Sequence, residues 1–166
     1  MSEPGHNSVA AARLRAFVER VEQPENRVNY ALERFRECRG RSVRYTSRAF
    51  QLAANLLSTD YEAAKRIIRF ADLGYPLRHL DLVGPLNEDC IGFVYYARRV
   101  GDFRQIKIGF TRDPDRREKQ LTAIHKCPVR IFSIREGVML DEHVEHCRNH
   151  QRRIVGEWFA TELEAA

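Results

Sequence analysis

Five side chains in the second half of the chain are of the types that attack on a phosphate ester requires. Tyr95 closes Phe93-Val94-Tyr95. After eleven intervening residues, Lys107 opens Lys107-Ile108-Gly109-Phe110-Thr111, and Arg116-Arg117 follow. Glu142 and His146 lie four residues apart, and Gly156-Glu157-Trp158-Phe159 ends the set. Phosphodiester cleavage needs an activated water, neutralisation of the non-bridging oxygens and help for the departing alkoxide. A carboxylate offers hard oxygen ligation to Mg²⁺ or Mn²⁺, and magnesium keeps several waters, so a single protein ligand such as Glu142 can suffice. A guanidinium such as Arg117 offsets charge on phosphate. A phenol titrates near 10, so Tyr95 could orient or deprotonate water only in concert with a metal. Lys107 supplies a further positive charge.

The same residues have ordinary structural readings. Tyr95 on an alternating strand is commonly core packing, and Trp158 and Phe159 read as core anchors. Gly109 suits close backbone approach. Glu157 reads as a cap or an outer partner and is left outside the metal site. Glu142, His146, Asn149 and Arg153 fall at i, i+4, i+7 and i+11 of one expected helix. That shared face suits metal and phosphate, and it equally suits a solvated helix surface. His143, His146, Cys147 and His150, with Cys127 upstream, could be taken as a zinc cluster, although the spacing matches no common zinc module.

The first half carries a different signal. Arg34, Arg36, Arg39, Arg41, Arg44 and Arg48 share their window with one acid, Glu37. Arg39, Arg41, Arg44 and Arg48, together with Arg116 of the second half, are the candidate DNA-phosphate contacts; the alternative is a solvated helix–loop surface. Of the 28 basic residues only Lys65, Lys107, Lys119 and Lys126 are lysine, and the net charge is +5. Arginine richness fits a nucleic-acid partner, though a GC-rich coding sequence would give the same bias. The four cysteines are widely spaced, which argues against a disulfide framework. No apolar run approaches the roughly 18 residues of a membrane span. Residues 1–8 show no secretory signal, so the expected location is the cytoplasm, with DNA as partner and no membrane or small-molecule cofactor.

Two kinds of periodicity must position these groups. Residues 8–85 form an expected helical region, with stripes at Leu14-Phe17-Val18-Val21, Val28-Leu32-Phe35, Phe50-Ala53-Ala54-Leu57 and Ala64-Ile67-Ile68-Ala71. Thr59-Asp60-Tyr61-Glu62 reads as a capping box opening the fourth helix, and Gly74 as its C-terminal cap. The segment from Leu52 to Phe70 has helix-turn-helix spacing. Residues 90–163 form the second expected domain. Ile91–Tyr96 and Gln105–Phe110 read as a hairpin about Val100-Gly101-Asp102. Asp113-Pro114 starts a helix that Pro128 stops, Val129–Ile134 is a third strand, and Leu140–Ile154 is a helix closed by Gly156 before a short strand at Trp158-Phe159. The expected class is α+β: a helical N-terminal region, then a small three-stranded antiparallel sheet flanked by helices.

The order and spacing of these motifs over residues 91–162 resemble the GIY-YIG nuclease superfamily, and within it the phage-type branch with KIG in place of YIG and a terminal GEWF. The resemblance implies a metal-dependent endonuclease cleaving DNA phosphodiesters with one divalent ion, Mg²⁺ or Mn²⁺. It implies Tyr95 as the tyrosine of the first tripeptide, Lys107 in place of the second, Arg117 as the phosphate-gripping arginine and Glu142 as metal ligand. With His146 these make up the candidate catalytic set. The departure at Lys107 leaves a second expectation, a DNA-binding module of low or no activity on the same scaffold.

Overall fold

The computed structural model describes residues 6–162 and divides the chain at Ile91/Gly92 into two units. The first holds four helices, α1 (His6–Val21), α2 (Pro24–Cys38), α3 (Val43–Leu57) and α4 (Tyr61–Asp72). α2, α3 and α4 pack pairwise on one another and α1 lies on α2. Their apolar stripes meet through Phe17, Val28, Leu32, Phe35, Phe50, Leu57, Ile67 and Ile68, all buried, with Phe35 and Phe50 stacked at 4.6 Å between centroids. Ser42 caps α3 by accepting from Tyr45 N–H. At α4 the cap is Asp60, which accepts from Ala63 N–H at 2.8 Å, rather than the expected Thr59 box. Asp60 is one residue nearer the helix, and its carboxylate also favours the positive helix end. Gly74 (φ +81) ends α4: its N–H donates to Ala71 O and Tyr75 N–H donates to Phe70 O. The Phe70–Tyr75 ring contact at 5.8 Å completes this Schellman motif.

Arg27 of α2 is buried in this unit. Its guanidinium donates to Leu56 O (3.1 Å), in the last turn of α3, and to Gly84 O (2.7 Å) in the connector after α4. Burial lowers its pKa, while Cys90 acts the other way. No helix among the described residues is long and apolar enough to cross a membrane.

The second unit is built on the hairpin β1 (Ile91–Arg99) and β2 (Gln105–Thr111), then α5 (Pro114–His125), β3 (Val129–Val138), α6 (Met139–Arg148), β4 (Arg153–Val155) and β5 (Trp158–Ala160). The sheet has five strands in the order β3-β1-β2-β5-β4, not three. β1–β2, β2–β5 and β5–β4 pair antiparallel. The two strands beyond three are each three residues long: β5, the short strand expected at Trp158-Phe159, lies beside β2, and β4 lies outside β5. The helix expected to reach Ile154 ends at Arg148. Asn149 turns its side-chain amide to Glu145 O (2.8 Å), a single 3-10 turn follows over His150–Arg152, and Ile154-Val155 enter β4. β-branched residues followed by Gly156 (φ +56) suit a strand and a two-residue turn better than a helix end.

The sheet's two faces are distinct. Tyr95, Ala97, Leu121 and Val129 form one cluster, beneath α5; Val94, Ile108 and Phe159 form the other. α6 serves the second face, where His146 meets the Phe159 ring at 5.2 Å. α6 starts directly after β3, with Asp141 accepting from the buried Val138 N–H at 2.8 Å.

Candidate active site

Register places the first two groups. Tyr95 stands opposite Gly109, and Ala97 opposite Lys107. Directly opposed residues share a face, as do positions i and i+2, so Tyr95 and Lys107 leave the sheet on the same side. The phenol lies across β2 over Gly109. A Cβ at that position would overlap Tyr95 Oη and Cζ and fall 2.8 Å from Cε1. Glycine is required here for the space it leaves.

Asp113 caps α5 through Arg116 N–H (3.0 Å), and Pro114 takes the first helical position, where its missing N–H costs nothing. Arg117 then lies in the first turn, over the sheet. Its Nε–H donates to Tyr95 Oη at 3.1 Å, and Nη1 is 3.4 Å from Gln120 Oε1. The Arg116 side chain points to solvent instead. Lys107 Nζ donates to Glu157 Oε2 at 2.5 Å. Glu157 sits in the turn between β4 and β5, and its carbonyl also accepts Ile108 N–H at 3.1 Å. Glu157 is thus an outer partner of the cluster, through Lys107.

His146 Nε2 is 2.9 Å from Ile108 O and 3.9 Å from Glu142 Oε1. A carbonyl only accepts, so Nε2 carries the proton and donates. Burial lowers the His146 pKa, opposed by the Ile108 bond, and the ring is neutral at pH 7. In an extended strand one residue's N–H and C=O point to the same side. Because Ile108 N–H meets Glu157, its C=O also faces the β5 side, where His146 closes the strand edge. α6 therefore belongs to the face opposite Tyr95 and meets β2 at Ile108 O, with Glu142 beside His146. Burial raises the Tyr95 pKa most; Arg117 opposes this, and the carboxylates of Glu157 and Glu142 add to it. Both carboxylates are therefore within electrostatic reach of the phenol, which is protonated at neutral pH.

Tyr95 and Arg117 are thus in hydrogen-bond contact and Lys107 is paired with Glu157 on the same face, while Glu142 and His146 come from α6 on the other face and join β2 through Ile108 O. The helix ends before Asn149 and Arg153: Asn149 turns its amide to Glu145 O, while Arg153, in β4, lies 5.1 Å from the Phe159 centroid and its charge helps lower the His146 pKa. The zinc grouping does not assemble: His146 and His150 each turn a ring nitrogen to a backbone carbonyl, Ile108 O and Cys147 O. Cys127 packs with the Tyr95 cluster, whereas His143 and Cys147, 3.8 Å apart, belong to α6. The carboxylates of Glu142 and Glu157 are the hard donors able to hold a divalent cation here. His125 was not anticipated. It closes α5 edge-on to Trp158 at 5.2 Å, and burial together with the charges of Arg99, Lys107 and Arg117 lowers its pKa. Arg99, whose guanidinium lies 4.1 Å from the Trp158 centroid, continues the Tyr95-Ala97 alternation. That period of two was visible in the sequence.

Arg39, Arg41, Arg44 and Arg48 belong to the helical unit. Arg39 pairs with Asp72, which also holds Arg36 at 3.0 Å, so Asp72 answers two of the arginines. Arg48 donates to Gln51 Oε1 at 2.7 Å, and Arg41 and Arg44 are exposed.

Residues 92–166 match the T5orf172 domain, which covers the sheet, α5 and α6. No curated protein and no solved structure matches the chain.

Proposed function

We propose that the second unit hydrolyses DNA phosphodiester bonds with one divalent metal ion, Mg²⁺ or Mn²⁺, as an endonuclease of the GIY-YIG type. The observation that carries this reading is the Tyr95–Arg117 bond over Gly109, with the Glu142 charge acting on the same phenol. Glu142 would hold the ion, with the carboxylate of Glu157 nearby. When bound, such an ion acidifies a coordinated water and offsets negative charge on the phosphate.

The chain's own groups do the rest. Tyr95 is fully buried, keeps its proton and accepts from Arg117, so it holds the guanidinium in place rather than deprotonating water. Arg117 keeps N–H groups beyond those on Tyr95 and Gln120 for a non-bridging oxygen. Lys107 has two N–H bonds left after Glu157, but that carboxylate offsets part of its charge. His146 donates to Ile108 O and anchors the helix that brings Glu142; it acts as a positioning residue.

The Lys107–Glu157 pair favours a second reading, a DNA-binding module with weak cleavage, because the group standing where the superfamily has tyrosine is occupied by an ion pair. Supercoiled plasmid incubated with the protein and Mg²⁺ or Mn²⁺ separates the two. Metal-dependent nicking lost in Glu142→Ala and strongly reduced in Tyr95→Phe is the expected result. Equal nicking by wild type and Glu142→Ala removes the hydrolytic reading, and salt-sensitive binding without nicking selects the second.

A further inference from the structure

We propose that a groove in the helical unit, between the start of α3 and the outer row of α4, seats the phosphodiester backbone of DNA. The groove is open to solvent, holds about 500 Å³, and is lined by Arg41, Lys65 and Arg69 together with the hydroxyls of Thr46, Ser47 and Tyr61. No carboxylate is among its lining residues. That composition rejects a metal cation and suits an anion that accepts many hydrogen bonds.

Two arrangements hold the donors ready. Ser47 Oγ and Tyr61 Oη are 3.3 Å apart, tying α3 to α4 across the groove. Lys65 Nζ lies 5.9 Å from the Tyr61 ring centroid, and the Arg69 guanidinium 5.6 Å from that of Phe50, so aromatic faces fix both cations along the wall. Lys65 and Arg69 are one helical turn apart, on the row that begins at Tyr61. Asp72, at the end of α4, takes Arg36 and Arg39. Among the described residues no carboxylate pairs with Arg41, Lys65 or Arg69. The first turn of α3, which opens beside Ser42 with no acidic residue, adds backbone N–H groups of the same sign. A polymer can run through an open groove, and hydroxyls with cations grip its backbone without reading sequence.

This inference rests on DNA being the partner, as proposed above, and does not depend on cleavage. The test is fluorescence anisotropy of a labelled DNA duplex with the full chain across a salt series. The proteins compared are wild type, the double variant Arg41→Ala/Lys65→Ala and Arg36→Ala. Each cation removed from a phosphate flattens the slope of log K against log salt by about 0.9, so the double variant should lose about 1.8 from the slope and bind roughly 60-fold more weakly at 0.1 M salt. Arg36→Ala should keep the wild-type slope, and thermal melts should show all three proteins folded. A double variant with wild-type affinity and slope overturns the proposal, as does wild type that does not bind the duplex. Displacement of the duplex by equimolar inorganic pyrophosphate also overturns it, because the groove would then prefer a small phosphorylated ligand. Groove-dependent binding without nicking leaves the proposal standing and removes hydrolysis; nicking with binding untouched by the groove variant does the reverse.

Discussion

Gly109→Ala places a methyl group where the Tyr95 phenol now lies, and its cost can be worked out from the contacts. The nearest ring atom not already overlapped is Cε1 at 2.8 Å, against about 3.5–4.0 Å for comfortable carbon contacts, so the ring must move by roughly 0.7 Å or more. Tyr95 is fully buried against Ala97, Leu121 and Val129, so little free space receives it. Overpacking of this kind costs about 1–3 kcal/mol, and losing the 3.1 Å bond to Arg117 adds about 1 kcal/mol. At roughly 4–8 °C per kcal/mol for a unit of this size, the midpoint of its thermal transition should fall by at least about 8 °C. Backbone entropy alone predicts the opposite sign, because alanine is favoured over glycine in a strand by about 0.5–1 kcal/mol. Calorimetry on the full chain, repeated in a Tyr95→Val background, isolates the contact. In that background Gly109→Ala should be neutral or slightly stabilising, giving a coupling of about 2–4 kcal/mol. Equal costs in both backgrounds would refute the crossing of the phenol over β2.

Two further outcomes are expected. Glu157→Gln leaves the Lys107 ammonium, nearly buried, without its carboxylate; because Glu157 itself is partly exposed, the loss should be about 1–3 kcal/mol, and Lys107→Met combined with Glu157→Gln should recover most of it in urea melts. His146 has a lowered pKa, so the unfolded chain binds its proton first as pH falls. Its contribution to stability is therefore complete above about pH 6.5 and is lost on acidification below that; His146→Gln should flatten stability against pH between 6.5 and 5, and an unchanged acid limb would contradict the neutral, Ile108-bonded ring.

Local signals made much of this architecture legible. Alternation at Phe93-Val94-Tyr95 and Gln105–Phe110, the Asp113-Pro114 start and the helical stripes of the first half all correspond to elements whose periodicity matches their burial. β4 escaped because it is three residues long and exposed throughout, so it has no inward face to leave a pattern. The polar spacing from Glu142 to Arg153 reads the same whether a helix continues or a 3-10 turn and an edge strand follow. Glu157 was visible in Gly156-Glu157-Trp158-Phe159, but its pairing with Lys107 depends on the β2–β5 register, which joins positions fifty residues apart. Asp72 likewise neutralises arginines far from it in sequence, which a window of local acids cannot reveal.

Arg27 has a practical consequence for dissecting the chain. Its guanidinium is divided between the last turn of α3 and the carbonyl of Gly84, so the segment after α4 acts as a keystone of the helical half. A cut at Gly74, where the final helix stops, would strand a permanent charge inside an apolar interior with one acceptor missing. Fragments meant to stand alone should therefore be severed beyond Cys90, and a shorter piece should arrive as a loosened, protease-sensitive bundle.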